Sequence, residues 1–126
     1  MKALNIVASA YRATIEEQDD TIVWITHAMK GAGASLDVLL RGNAVNYAVP
    51  GQDAAGLVFG DWTQTEPPRI ENDIAGLLAK GVAVFALEDD LALRGLEGAS
   101  LLPGVQRVRG DALAALLGGY DAVWQW

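Results

Sequence analysis

The sequence predicts an α/β protein, a three-layer α/β/α sandwich around a mostly parallel sheet of about five strands. Three observations carry that prediction. An unbroken apolar run, Val82 to Leu87, lies between Gly81 and three consecutive carboxylates, Glu88, Asp89 and Asp90. Runs of this kind mark strands buried on both faces, as in a parallel sheet covered by helices. Strand-like and helix-like segments alternate along the chain, as β-α-β crossovers require. Finally, 52% of the 126 residues are hydrophobic, enough to bury the core of one domain, residues 1–126, without covalent staples.

Ala3 to Ser9 reads as the first strand. The segment Met1 to Ala10 superficially resembles a signal peptide, but its apolar run is too short and Asn5 interrupts it. The exit is Ser9-Ala10-Tyr11-Arg12. Thr14 and Glu17 have the spacing of a capping box, which predicts a helix from there to Lys30. Ile15, Ile22, Ile25 and Met29, with Thr26 among them, fall on one side at helical spacing. Glu16, Glu17 and Asp20 face away and suit the positive end of the helix dipole. Gly31 and Gly33 stop the helix. Because Gly31-Ala32-Gly33 follows a helix and precedes a strand, it has the wrong context for a dinucleotide-binding turn.

Ser35 to Leu40 forms a second strand that leaves through Arg41-Gly42-Asn43. From Asn43 to Pro68 the periodicity fades between the turn signals Pro50-Gly51 and Pro67-Pro68, which predicts a long excursion with one short helix. Helical spacing returns over Ile70 to Lys80, with Ile70, Ile74, Leu77 and Leu78 as the buried stripe. After the central strand, Leu91 to Arg94 supplies a brief helix. Pro103-Gly104 turns the chain into a short strand, Val105 to Val108. Asp111 is placed to cap a last helix, Ala112 to Leu117, closed by Gly118-Gly119. Tyr120 to Trp126 reads as a final strand, with Ala122, Trp124 and Trp126 on one face.

Charge and composition exclude several classes of function. The net charge of −7 and pI near 4.4 argue against a nucleic-acid partner, which needs clustered Lys and Arg. No segment approaches the ~20 apolar residues of a membrane span, so no membrane partner is expected. There is no cysteine, which removes disulfides, thiolate-held metals and any thiol nucleophile, and fits a reducing, cytoplasmic location. No cofactor, metal or catalytic residue is implied. His27, the single histidine, falls on the polar side of its helix without a Ser or Cys motif to pair with. It reads as a solvated helix residue, with a pH-sensitive interface contact as the alternative.

Open α/β sheets place their ligands beyond the carboxyl ends of the strands. Tyr11, Arg12, Arg41, Asn43, Asn46 and Tyr47 follow the first two strands, and Leu87, Glu88 and Asp90 end the central one. Arg41 and the amide side chains would suit a small anion or a partner's backbone carbonyls. The competing reading has Asn43 and Asn46 serving turn geometry. Glu88, Asp89 and Asp90 are the residue types of a magnesium site, or caps and solvated acids around a helix start. A phospho-receiver would need further acids after the first strand, where Ser9-Ala10-Tyr11 stands instead. Trp124 and Trp126 are candidates for a subunit interface or for covering the core, and Trp62 for a subunit interface or for lying over the pocket.

The segment Gly81-Val-Ala-Val-Phe-Ala-Leu-Glu-Asp-Asp-Leu-Ala-Leu-Arg-Gly-Leu96 resembles the strand–loop–helix segment of the DsrE/DsrF/DsrH (TusBCD-like) sulfur-relay superfamily. The exit Leu39-Leu-Arg-Gly-Asn-Ala-Val-Asn-Tyr47, the terminal Tyr120-Asp-Ala-Val-Trp124, the strand order and the length agree with it. The resemblance implies a DsrE-like sandwich and assembly into a homo-oligomer or a hetero-oligomer with a DsrE-family subunit. Its best-understood members carry a persulfide on a cysteine that matches Leu87 here. A leucine is neither a nucleophile nor a sulfur carrier, so the resemblance implies a cysteine-less member, similar to the DsrH/TusB-type partner. Two functions follow as expectations. One is a non-catalytic subunit acting through oligomerisation or partner docking. The other is a small-molecule or anion-binding module at the carboxyl edge of the sheet.

Overall fold

The computed structural model describes residues 1–16, 18–53 and 55–126. Its centre is an entirely parallel sheet formed by β1 (Lys2–Val7), β2 (Ser35–Leu40), β5 (Val84–Leu87), β6 (Gln106–Val108) and β7 (Ala122–Gln125). The spatial order is β6-β5-β2-β1-β7. The chain therefore builds outward from β1 to β6 and returns to the far side of β1 for β7. The helices are α1 (Thr21–Gly31), α2 (Ile70–Ala79), α3 (Glu88–Leu93) and α4 (Leu113–Gly118).

Alternation along the strands feeds two hydrophobic layers. Val7, Val38, Leu40, Val84 and Ala86 meet Ile22 and Val23 of α1, Ile74 and Leu77 of α2, and Leu91 of α3. Leu4, Ile6 and Leu39 face the other way, against Leu113, Leu116 and Leu117 of α4. A single-residue slip would exchange these two sets, so burial on both faces fixes the register. On the α1 face of the sheet, Asn5 is fully buried and donates to Thr26 Oγ1 at 3.0 Å, and that hydroxyl donates to Ile22 O at 2.7 Å. At the amino edge, Asp37 accepts from the Ala83 amide and the Tyr120 hydroxyl, each at 2.8 Å, and pairs with Lys2 Nζ at 2.9 Å. This carboxylate ties together the starts of β1, β2 and β5 and the approach to β7.

Ser35–Leu40 is the strand expected, and the other core elements lie within a few residues of their expected places. Four local expectations are corrected. The helix anticipated from Thr14 begins at Thr21, and its cap is Asp20. Thr14 instead donates its hydroxyl to Tyr11 O at 3.1 Å, Glu17 lies outside the described residues, and Ile15 is exposed. The Asn43–Pro68 excursion contains a 3-10 helix, Gly42–Ala48, and also an unforeseen hairpin of β3 (Val58–Phe59) and β4 (Trp62–Thr63). Asp111 does not cap α4: a 3-10 turn, Gly110–Ala112, precedes it, and Asp111 pairs with Arg109 at 2.8 Å. Finally, His27 is half-buried between α1 and α2. Its Nε2 lies 2.8 Å from Asp73 O and its Nδ1 3.0 Å from Lys80 Nζ, contacts that suit the neutral Nε2–H tautomer. A Cβ at position 76 would stand 3.1 Å from His27 Cε1, so Gly76 gives the imidazole its room.

Among the described residues, no helix is long and apolar enough to cross a membrane.

Candidate functional site at the carboxyl edge

The exits of β1, β2 and β5 meet at one edge. Gly42, with φ of 55°, sits so close to the β1 exit that a Cβ would stand 2.9 Å from Ala8 O. Its amide donates to Asp90 Oδ2 at 2.6 Å. A left-handed conformation, a close backbone approach and a side-chain acceptor coincide there, so glycine is needed for steric and conformational reasons. The three loops that the sequence pointed to are thus joined through position 42.

Many of the candidate polar side chains at this edge are engaged in holding the loops. Arg94 donates to Asn43 Oδ1 through Nε at 3.1 Å and Nη2 at 2.9 Å, and through Nη1 to Asp90 O at 3.1 Å. Asn46 donates to Asn43 O at 2.8 Å within the 3-10 helix. Asp89 accepts from the Gly110 amide at 3.0 Å while Asp90 turns to Gly42, so the two carboxylates point apart. Among the described residues, no group of three His, Cys, Asp or Glu side chains is arranged to hold a metal ion. Arg12 is exposed and Arg41 half-buried. Glu88 lines a shallow, open depression with Asp89, Glu97 and Arg109. Leu87 is buried, 5% exposed, at the end of β5.

Tyr11 and Tyr47 belong to a second constellation on the α1 side. Tyr47, 2% exposed, accepts a short hydrogen bond from the Tyr11 amide and donates its own proton to Asp20 Oδ2 at 2.6 Å. Asp20 Oδ1 accepts from the Ile22 and Val23 amides at 2.9 and 3.2 Å. Burial, then the hydrogen bond and charge of Asp20, raises the Tyr47 phenol far above its ordinary value and keeps it a donor. Tyr11 and Ala13 have φ of 56° and 58°, so the loop carries two residues in a disfavoured conformation.

Beside this loop lies a cavity of about 290 Å³. Its walls include Tyr11, Ile15, Asp53, Leu57, Gln64 and Ile70. Asp53 Oδ1 accepts the Glu71 amide at 3.2 Å, and Tyr11 donates its hydroxyl to Gln52 O at 3.2 Å. Behind Asp53, the Asp73 carboxyl is raised to about 7 by burial first, then by the charge and hydrogen bond of Asp19 and the charges of Asp53 and Asp20. Of the residues expected at the site, only Tyr11 lines this cavity. Asp20, Asp53, Asp73 and Arg94 were not anticipated. A cap signal for Asp20 exists in the sequence, an acid immediately before an apolar-periodic run. Nothing local marks the others.

The interface candidates lie at two places. Trp62 is 51% exposed and stacks obliquely on Phe59, with ring centroids 5.8 Å apart. Trp124, in the edge strand β7, and Trp126, just after it, line a groove with Ile25 and Met29 of α1. Trp124 stands opposite Asn5 in the register, on the α1 side of the sheet.

This architecture occurs in solved structures. The ychN protein of E. coli is 20% identical, covers all of both chains and superposes with a TM-score of 0.72. The fold is DsrE-like. MTH1491 of Methanobacterium thermoautotrophicum, described as a protein of unknown function, is 15% identical over 99% of this chain and 98% of its own, with a TM-score of 0.67. No family model matches the sequence, and no curated protein matches it. At these identities the likeness establishes the fold.

Proposed function

We propose that this DsrE-like chain is a non-catalytic subunit or accessory protein of a sulfur-relay type system, acting through oligomerisation or partner docking. The observation that carries the reading is the end of β5. There Leu87 is buried, at the position that the sequence resemblance matches to the superfamily's sulfur-carrying cysteine, in a chain with no cysteine. Asp89 and Asp90, next to it, are turned to loop amides. The exposed apolar side chains include Val58, Phe59 and Trp62 of the hairpin, Trp126, and Leu93 on α3. Isolated two-stranded hairpins are marginal in water, so these faces suit burial against another chain.

Native mass spectrometry tests this, with the protein alone and mixed with a cysteine-bearing DsrE-type protein. A defined homo- or hetero-oligomer is expected, with no sulfane sulfur taken up by this chain. Trp62→Ser combined with Trp126→Ser is expected to weaken assembly by at least about tenfold. A strict monomer that captures no partner, or a chain that accepts and passes on sulfane sulfur unaided, ends the reading. A second reading, a small-molecule module at the same edge, draws on the cavity beside Tyr11.

A further inference from the structure

We propose that the cavity between the β1–α1 loop and the start of α2 binds a small organic cation, an ammonium group carried on an apolar or aromatic body. The inference rests on the small-molecule reading of that cavity and is independent of the subunit reading. Its volume, about 290 Å³, is at the lower end of the range for small-ligand pockets. Ile15, Ala55, Leu57, Pro68 and Ile70 supply apolar wall, and Gln52 and Gln64 add neutral polar groups. Asp53 is the one charged side chain among the described lining residues. An apolar wall with few polar groups and one carboxylate selects an apolar body with one positive charge.

The anion that Arg41 and the amide side chains suggest from sequence would find no cationic side chain at this cavity, since neither Arg12 nor Arg41 lines it. Two helix starts nearby would by themselves favour negative charge. Carboxylates already answer them: Asp20 takes the Ile22 and Val23 amides of α1, and Asp53 takes the Glu71 amide of α2. Asp19 adds further negative charge, and the Asp73 carboxyl, raised to about 7 by burial first and then by Asp19, Asp53 and Asp20, is the group that stays protonated among them. Burial and then Asp53 raise the Tyr11 phenol as well. A cation at Asp53 would offset the Asp53 charge, which is the lesser contribution to both shifts after burial. The Tyr11 ring, set edge-to-face with Tyr47 at 5.4 Å between centroids, offers an aromatic surface to such a cation.

The test uses two probes of similar size and opposite charge, phenethylammonium and hydrocinnamate, titrated into isotope-labelled protein and followed by amide NMR. Phenethylammonium is expected to shift the amides of Tyr11, Asp53, Leu57 and Ile70, saturably and more weakly at high salt, while hydrocinnamate leaves them in place. Asp53→Asn keeps the oxygen that accepts the Glu71 amide and is expected to raise the dissociation constant for phenethylammonium about tenfold, the worth of one charge-assisted contact. Asp111→Asn, in the exposed pair with Arg109, is expected to leave it unchanged. If Asp53→Asn fails to fold, the comparison of the two probes on the wild-type protein decides alone. Equal or preferential binding of hydrocinnamate overturns the cation and keeps a small-molecule site. Shifts mapped elsewhere, or none at millimolar probe, overturn both. Oligomeric state has no bearing on any of these outcomes.

Discussion

Asp20→Ala is expected to destabilise the protein by roughly 2–5 kcal/mol. Asp20 is fully buried and serves three donors at once: two amides in the first turn of α1 and the Tyr47 hydroxyl. Losing an aspartate cap costs about 1–2 kcal/mol in exposed settings. Here the same truncation strands a buried phenol, which adds about 1–3 kcal/mol because Tyr47 has no access to water. The Tyr11 amide bonds to that phenol, so the strained Tyr11–Ala13 turn loses its anchor too. Asp20→Asn keeps one acceptor oxygen for the amides but turns an amide group towards Tyr47, and should cost about 1 kcal/mol. Urea denaturation of Asp20→Ala, Tyr47→Phe and the double variant gives a coupling energy, expected to exceed about 1 kcal/mol. Additive losses, or an Asp20→Ala penalty below that figure, would mean that the three donors find other partners.

That triad also shows where sequence reasoning stops. The apolar run Val82–Leu87 and the segment Ser35–Leu40 are readable because strands buried on both faces need no particular neighbour to declare themselves. The helix start was misplaced because Ile15 continues the apolar spacing backwards from Ile22, and Thr14 is as good a local cap as Asp20. What selects Asp20 is a tyrosine 27 residues further along the chain. His27 follows the same logic: the helical angle places it off the apolar stripe, but α2 packs there and Gly76 makes the space. The hairpin carries one signal, Gly60-Asp61 between short apolar pairs, too brief to separate from an irregular loop. At the carboxyl edge, parallel topology predicts that the exits of β1, β2 and β5 converge, and they do around Gly42. It does not say that Asp90 and Asn43 turn inward to hold loops, because the Arg94 and Gly42 contacts are set by tertiary distance.

Asp73→Asn is expected to stabilise the protein, and to do so more at pH 8 than at pH 5. In the folded protein the Asp73 carboxyl is held up to about 7 by burial, then by Asp19, Asp53 and Asp20, whereas in the unfolded chain it ionises near the ordinary aspartate value. The native state therefore binds the extra proton between those limits, and stability falls as pH rises through the window. Undiluted, the gap would correspond to about 4 kcal/mol; for a half-buried side chain open to solvent screening, about 1–2 kcal/mol is expected. Asp37 works in the opposite direction. Burial alone would raise it, but hydrogen bonds from Lys2, the Ala83 amide and Tyr120, together with the charge of Lys2, outweigh burial and lower it. Its contribution is present above the unfolded aspartate value and is lost as pH falls through the folded one. As far as these two groups decide it, wild-type stability should accordingly peak near the ordinary aspartate value, about pH 4, with Asp37 setting the acid limb below it and Asp73 the limb on its alkaline side, up to about pH 7. In Asp73→Asn the amide can donate to the Asp19 carboxylate without a titrating proton, so the alkaline limb should flatten while the acid limb stays. Thermal melts across pH 2–9 separate the cases. An equal gain at pH 5 and pH 8 would point to packing and not to ionisation, and no gain at pH 8 would show that the folded protein does not hold the Asp73 proton in this range.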